Sequence, residues 1–231
     1  MKKTLLFLLL ALASGPAAFA QARPGGSLSS KDYTGGATTE SGNSGFGVKG
    51  GYNFSRPYGD DITNVSAYHA FHAGVYGQLG FNNFSSVQVE VLYNRKGYNS
   101  DASIANGGAA NKNQETRLDY LEVPVLYVAN VTSNVSFHIG PQISLLTKVL
   151  QGGGDKALAP NGFNTVDYGG VAGAELRVGP ARLGARYDLS FGRIFDTSKQ
   201  YSNPSGAPGT VTLSSVHNQV VQLYVGIGLR Q

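Results

Sequence analysis

The strongest constraint on the fold is a regular alternation of apolar side chains with polar or small ones, which recurs along most of the chain after residue 46. Residues 221–230 show it most clearly, with aliphatic side chains at the odd positions and polar or small residues at the even ones. A period of two places successive side chains on opposite faces of a β-strand, whereas a helix would repeat its apolar positions every three or four residues. The sequence therefore predicts an all-β protein.

Eight segments carry this alternation, and the connections between them alternate between long and short. The predicted strands cover residues 46–55, 71–79, 85–94, 118–128, 135–146, 166–178, 181–191 and 221–230. Long connections at 99–116, 149–165 and 195–216 alternate with short ones such as Gly179-Pro180. Outer-membrane barrels have this asymmetry, with long outer loops and short periplasmic turns. Pro124 lies inside the fourth strand, where a bulge or a missing ladder hydrogen bond is expected.

Composition excludes several other classes of protein. Only 14% of the residues are charged, well below the ~25% of an average soluble domain, and 32 of the 231 residues are glycine, which disfavours helices. No apolar run reaches the ~20 residues of a membrane-spanning helix. The absence of cysteine excludes disulfides, thiolate metal sites and iron–sulfur clusters. A net charge of +4 without a basic run gives no indication of nucleic acid binding.

The N-terminus has the three parts of a secretory signal peptide. Lys2 and Lys3 form its positive region, residues 4–13 form its apolar core, and Ala18 and Ala20 form an A-x-A cleavage site before Gln21. We therefore predict a signal peptide over residues 1–20. A flexible leader rich in Gly and Ser follows over 21–45, and the barrel domain occupies 46–231.

One face of the predicted strands is almost wholly aliphatic and aromatic, and the other carries acids and bases together. The charged residues on the second face are Lys49, Glu90, Glu122, Glu175, Arg177, Arg182, Arg186 and Asp188. A charged face turned into a narrow barrel must pair its charges, because an isolated buried charge is very costly. We therefore predict an eight-stranded antiparallel transmembrane β-barrel. Its lumen is filled by paired charges, with polar side chains from His72, His138 and Gln142.

The apolar face carries aromatic residues that are candidates for membrane girdles. They are Tyr93, Tyr127, Phe137, Tyr168, Tyr187 and Phe191. Aromatic girdles mark both interfaces of outer-membrane barrels, so the predicted partners are the lipid bilayer and lipopolysaccharide. His72 and His138 are expected to be hydrogen-bonded inside the barrel rather than bound to a metal, which would need further ligands at matched depth. We predict no catalytic residue, cofactor or metal.

Three stretches resemble a known family. They are Phe46-Gly-Val-Lys-Gly-Gly-Tyr-Asn-Phe-Ser55, His72-Ala-Gly-Val-Tyr76 and Leu118-Asp-Tyr-Leu-Glu-Val-Pro-Val-Leu126. Together with Gly140-Pro-Gln142 and Ala185-Arg-Tyr187, they are similar to the PorT-like porin family, also called the outer membrane protein β-barrel domain. The resemblance covers residues 46–230. It implies a barrel in the outer membrane of a Gram-negative bacterium and places Pro124 inside a stretch typical of the family. Some relatives take part in secretion machinery.

The interpretation that we favour is a sealed outer-membrane barrel with a structural or interaction role at the cell surface or within an envelope or secretion complex. The loops at 99–116 and 195–216 are its candidate contacts with a partner, since binding often resides on loops of a rigid scaffold. The alternative is a narrow porin-type channel for small solutes or ions. A lipid-modifying enzyme would need a lipid-facing Ser–His–acid set, whereas Ser144, Ser190 and His138 are predicted to face inward. A secreted soluble barrel would need its apolar face inside.

Overall fold

The computed structural model describes residues 44–60, 65–100, 114–156, 162–198, 201–202, 210–211 and 215–230. The predicted signal peptide lies outside these residues, as does the predicted leader up to residue 43. None of the described segments forms a helix long and apolar enough to cross a membrane.

Eight antiparallel strands form one closed barrel, which confirms the predicted fold class. They are β1 (Gly45–Tyr58), β2 (Val65–Gly80), β3 (Ser85–Ser100), β4 (Gln114–Asn130), β5 (Val135–Gln151), β6 (Val166–Val178), β7 (Ala181–Ser190) and β8 (His217–Arg230). Each strand pairs with the next in the chain, and β8 pairs with β1 to close the barrel. A short strand at Gly154–Lys156 folds back and pairs antiparallel with the end of β5, and Tyr201–Ser202 pairs with Thr210–Val211 as a separate ribbon.

The two ends of the barrel differ in their connections. Tight turns at 81–84, 131–134 and 179–180 lie at one end, here called the turn end, and the long connections lie at the other, the loop end. The strands run further toward the loop end than the sequence predicts. β3 continues to Ser100 instead of residue 94, and β5 continues to Gln151 instead of residue 146. The apolar alternation fades there, because charged residues occupy outward positions while the backbone pairing continues.

The side-chain faces of all eight strands are those predicted from the alternation. Outward-facing apolar residues are strongly exposed, as in Ile139, which is 62% exposed. Inward-facing residues are buried whether or not they are polar, as in Glu90 and Leu92, which are both 0% exposed. A soluble fold would bury the apolar face instead, so this inverted distribution suits a chain whose outer wall meets lipid.

Pro124 interrupts hydrogen bonding without shifting the strands. The β3–β4 ladder pairs Val89 with Val125 and then Leu92 with Glu122, leaving a gap opposite the proline with unchanged register. The expectation of a missing ladder bond is therefore confirmed, and the alternative of a bulge is wrong. Proline lacks the N–H that the ladder needs, but it tolerates the extended backbone of the strand.

Inward-facing glycines make room for large side chains in the lumen. Gly184 on β7 lies directly against the ring of Tyr224 on β8, onto which a Cβ at this position would fall. Gly173 on β6 is similarly close to His138 and to the Cβ of Arg186, at 2.7 and 2.5 Å from a Cβ placed there. Packing at these points therefore depends on the absence of a side chain, as is common in densely filled interiors.

We predict that Gly184→Ala destabilises the barrel, because the added methyl overpacks the site against the Tyr224 ring. Overpacking of this kind costs about 1–3 kcal/mol, and each kcal/mol lowers Tm by about 2–4 °C in a protein of this size. The measurement is the temperature at which the detergent-solubilised barrel loses its folded mobility on a gel. Gly77→Ala is the matched control, since a Cβ at Gly77 has no atom within 4 Å. Equal midpoints for the two variants would contradict the packing argument.

Candidate functional site

The centre of the lumen is organised around the carboxylate of Glu90. Lys49 Nζ lies 2.8 Å from Glu90 Oε1, and Arg186 Nη1 lies 2.7 Å from Glu90 Oε2. Gln88 Nε2 also donates to Oε1, at 2.6 Å. Lys49 Nζ lies 3.8 Å from the centre of the Tyr224 ring, a cation–π contact. All five side chains are buried, so both oxygens of the carboxylate are neutralised without solvent.

A second ion cluster fills the lumen nearer the turn end. Glu175 Oε1 accepts from Arg177 Nε and Arg182 Nη1, each at 3.2 Å. Tyr224 donates its hydroxyl to Glu175 Oε2 at 3.0 Å, which connects this cluster to the central one. Arg182 also donates to Gln78 Oε1 at 2.8 Å. The arginines predicted to face the lumen are therefore held by an acid and by neutral acceptors together.

The third cluster lies toward the loop end and is centred on Lys96. Its Nζ lies 2.7 Å from Glu122 Oε1 and 2.9 Å from Asp188 Oδ2. Gln142 donates to the second oxygen of Asp188, and Asn94 donates to Glu122 Oε2 at 2.5 Å. Both carboxylates are thus satisfied by one lysine and two amides, and every one of these side chains is buried.

Two charged lumen residues, Lys96 and Asp167, were missed by the sequence analysis. Lys96 is fully buried, but the predicted third strand ended at residue 94. Extending the alternation by one more step would have placed it inside. Asp167 is the second residue of β6, is buried, and accepts from Ser190 Oγ at 2.7 Å. The alternation was enough to place Asp167 in the lumen, because the inward-facing residues of β6 have odd numbers.

The two predicted lumen histidines take part in neutral contacts. His72 Nδ1 lies 2.6 Å from Asn53 Oδ1, and Asn53 Nδ2 in turn donates to Asn94 Oδ1 at 2.6 Å. The rings of His72 and His138 each lie 6.4 Å from the Tyr224 ring. Within the described part of the chain, no three His, Cys, Asp or Glu residues are grouped so that they could hold a metal ion.

An apolar plug closes the loop end of the lumen. It consists of Tyr98, Leu118, Tyr120, Leu146, Val149, Phe163, Ile194, Phe195 and Val216, none more than 6% exposed. The strand residues in this set face inward, while Phe163 and Phe195 come from the long connections and form a β-bridge with ring centres 5.4 Å apart. The sequence analysis missed the plug, because Phe163, Ile194 and Phe195 lie outside the eight barrel strands and outside any alternating segment.

The outside of the barrel carries the predicted aromatic residues. All six are exposed: Tyr93, Tyr127, Phe137, Tyr168, Tyr187 and Phe191. Tyr127 and Phe137 lie near the turn end, and the other four lie nearer the loop end. The bases whose side chains are described as facing outward flank one side of this apolar band. The outward-facing bases Arg56, Arg95, Arg117, Lys148 and Arg193 all lie at the loop end, whereas the three tight turns contain no charged residue.

An apolar outer wall around a lumen of paired charges defines the class of protein. Only a closed barrel satisfies every backbone hydrogen bond of strands in lipid, and only an inward-facing polar set can be shielded from it. The molecule is therefore an outer-membrane β-barrel protein of the eight-stranded type.

Comparison with known proteins identifies the family. The chain belongs to the family described as outer membrane protein beta-barrel domain, whose model matches residues 19–196. Neisserial surface protein A (NspA) is similar in structure, with 18% identity, a TM-score of 0.51 and coverage of 80% of this chain and 98% of that one. At this identity the likeness shows the fold alone. Ail of Yersinia pestis has 14% identity, a TM-score of 0.46 and coverage of 81% and 99%. Among curated protein sequences, none matches this chain.

We predict that Glu90→Gln strongly destabilises the barrel, because it leaves Lys49 and Arg186 buried without their shared carboxylate. Breaking a buried pair by removing one partner costs about 3–5 kcal/mol. The measurement is the midpoint of urea unfolding in detergent micelles. Glu115→Gln is the control, since Glu115 is exposed and accepts one hydrogen bond, from Tyr68 at 2.8 Å. Its loss should cost within about 1 kcal/mol. The interpretation fails if the two midpoints coincide.

Proposed function

We propose that the protein is a sealed outer-membrane barrel with a structural or interaction role, and that its lumen does not conduct. The observation that carries this proposal is that side chains fill the lumen at every depth. Charged side chains fill one part of its length, and apolar side chains fill the other. The ion clusters around Glu90, Glu175 and Lys96 occupy most of its length, and the apolar plug closes the loop end.

The plug is the barrier that matters for ions. A hydrated ion entering it would lose its water, and apart from the hydroxyls of Tyr98 and Tyr120 the plug consists of aliphatic side chains and aromatic rings. Transfer of a charge into such surroundings is prohibitively costly unless the charge is paired. The clusters below add a second barrier, because their long side chains are held across the lumen by contacts of 2.7–3.2 Å.

A narrow channel is the alternative, and one observation favours it. Buried polar atoms with no partner within the described residues point into the lumen at His72 Nε2, His138 Nε2 and Gln222 Nε2. Buried polar atoms of this kind commonly hold internal water. These three nitrogen atoms are an argument for small hydrated spaces in the lumen below the plug. Conduction would further require the plug to open.

The environment of the candidate nucleophiles supports a non-catalytic role. Ser190 Oγ donates to Asp167 at 2.7 Å, and Ser144 Oγ donates to Glu122 Oε1 at 3.2 Å. Both serines are buried inside the barrel, where no lipid substrate reaches them. Each hydroxyl donates to a carboxylate of the lumen and so contributes to the hydrogen bonding of a buried acid.

The setting that we propose is the outer membrane of a Gram-negative bacterium, reached by export through the signal peptide of residues 1–20. The exposed aromatic residues would then lie at the two lipid headgroup levels, and the charged rim of the loop end would meet lipopolysaccharide. The strands that flank the connections at 99–116 and 195–216 end at this rim, so these connections are the segments that we expect to contact an envelope or secretion partner. Membership of the PorT-like branch of the family is part of this proposal.

Recording from planar bilayers tests whether the lumen is sealed. The folded full-length mature protein should give no steady conductance steps, because the plug and the ion clusters both block the lumen. The double variant Phe163→Ser, Phe195→Ser, which removes the bridging rings, is expected to remain silent as well, since the clusters below are intact. Steps from the unaltered protein would establish the channel instead. Steps from the double variant alone would show that the plug is the seal.

Analysis of the mature N-terminus tests the proposed export. Protein recovered from outer membranes should begin at Gln21, because Ala18 and Ala20 fit the small-residue requirement of signal peptidase. Changing both alanines to leucine should leave the longer precursor uncleaved, while Ala17→Leu, just outside the recognised positions, should be processed normally. An N-terminus at Met1 in outer-membrane protein would contradict the signal peptide.

A further inference from the structure

The acids and bases of the lumen are unevenly distributed along its axis. Among the described residues, five buried bases and five buried acids face the lumen. Four of the bases belong to the central and turn-end clusters, together with only two of the acids. The other three acids, Glu122, Asp167 and Asp188, lie nearer the loop end with one base, Lys96. This part of the lumen therefore contains two buried negative charges more than positive ones.

Asp167 is the acid of this group that has no base as a direct partner. The ladders pair Glu122 with Ser144 and Ser144 with Asp167, so the two acids lie at one level of the lumen. Two strand spacings, or about 10 Å, separate their backbones. Lys96 Nζ lies 2.7 Å from Glu122 Oε1, whereas Asp167 forms no ion pair with a described residue. Its Oδ2 accepts from Ser190 Oγ at 2.7 Å, and this neutral hydroxyl does not compensate its charge.

Two buried oxygen atoms in this part of the lumen have no hydrogen-bond donor among the described residues. They are Asp167 Oδ1 and Asn218 Oδ1. The two residues are only 3% and 1% exposed, so bulk water does not satisfy these oxygens. A buried acceptor without a donor is costly, and an ionised one more so. The Asn218 amide is neutral and belongs to none of the three ion clusters, so it indicates a ligand independently of the acids.

Ser190 connects the two side chains that carry these oxygens. The register of the β7–β8 ladder, continued by one residue, places Ser190 beside Asn218, and both side chains are buried in the lumen. The Cβ atoms of such cross-strand neighbours lie about 4.5–5.5 Å apart. Asn218 Nδ2 donates to the hydroxyl of Tyr120, which belongs to the plug, at 3.2 Å. Asp167, Ser190 and Asn218 therefore form one row of oxygen-bearing side chains across β6, β7 and β8, directly below the plug.

We propose that Asp167, Ser190 and Asn218 bind one Ca²⁺ ion, whose two charges balance the excess of acids in this part of the lumen. One water could donate to both unpartnered oxygens, but it would leave that excess uncompensated. Carboxylate and amide oxygens are ligands of Ca²⁺, whose flexible coordination accepts water at the remaining positions, whereas Mg²⁺ demands near-ideal octahedral geometry. The site uses one carboxylate, so it needs no group of three acids or histidines. Because the plug covers it, the ion is taken up as the barrel folds.

Folding the mature protein from urea into detergent micelles, with calcium chloride or with EDTA, tests this proposal. Native mass spectrometry of protein folded in calcium should show one retained Ca²⁺ ion after the free ion is removed. The temperature at which the barrel loses its folded gel mobility should be higher in calcium than in EDTA. At free calcium a hundred times the dissociation constant, the rise should be about 5–11 °C in a chain of this size. Potassium chloride at the same ionic strength should give no such rise.

One pair of variants locates the site. Asp167→Asn preserves the shape of the side chain and an oxygen that can accept from Ser190, but it removes the charge, so it should abolish both calcium retention and the rise in midpoint. Asp155→Asn is the matched control, since Asp155 is an exposed acid at the same end of the barrel and should leave both unchanged. In EDTA, Asp167→Asn should melt no lower than the unaltered protein, because it removes one of the excess buried charges. A purely structural role of the Asp167–Ser190 bond would instead lower the midpoint in both buffers.

The proposal is overturned if the unaltered protein retains no Ca²⁺ and melts at the same temperature in calcium and in EDTA, a comparison that requires no variant to fold. It is also overturned if Asp167→Asn retains the ion, if Asp155→Asn loses it, or if potassium chloride reproduces the rise. None of these results would bear on whether the lumen conducts, so the failure of this proposal is separable from that of the sealed-barrel proposal.

Discussion

The pairing of Glu90 with Lys49 and Arg186 is the interaction on which the rest of the barrel depends. An eight-stranded barrel is just wide enough to be filled by side chains, so its lumen has no bulk water to solvate an ion. Charges can occupy it only if they neutralise one another across strands that are distant in sequence. Glu90 on β3 contacts β1 and β7 at once, which fixes the positions of three strands that do not all pair directly. The same pairing explains why acids and bases share one face.

The residues that face the lumen determine which residues face outward, because a strand has only two faces. Once Lys49 and Glu90 point inward, their neighbours must point outward, and those neighbours are Val48, Val89 and Val91. Repeated around the barrel, the arrangement exposes a continuous apolar band in which Leu79 and Ile139 are more than 60% exposed. Soluble monomers rarely expose a contiguous apolar patch of more than a few hundred Å². The lipid bilayer is the medium in which both faces are stable.

The sequence is sufficient to predict whatever depends on local alternation. The number of strands, their order and the face of each lumen residue follow from it, including the eight charged residues and the inward orientation of His72 and His138. It is insufficient where a contact depends on distant segments. The alternation, extended by one step, would have placed Lys96 inside, but it does not indicate that Lys96 pairs with Glu122 of β4 and Asp188 of β7. Phe163 and Phe195 meet only because two long connections fold back over the lumen.

The ion clusters and the apolar plug together limit which solutes could pass through the barrel. The ion clusters exclude apolar solutes, since entry would require separating buried pairs such as Lys96 and Asp188. In the sealed barrel that we propose, the plug would exclude ions and polar solutes, since its rings and aliphatic side chains replace little of their water. Under this proposal, a solute that could enter the charged part of the lumen would be rejected by the apolar part, and the reverse. This favours a barrel that acts through its surfaces, namely the lipid-facing wall and the loop end, over one that acts through its lumen.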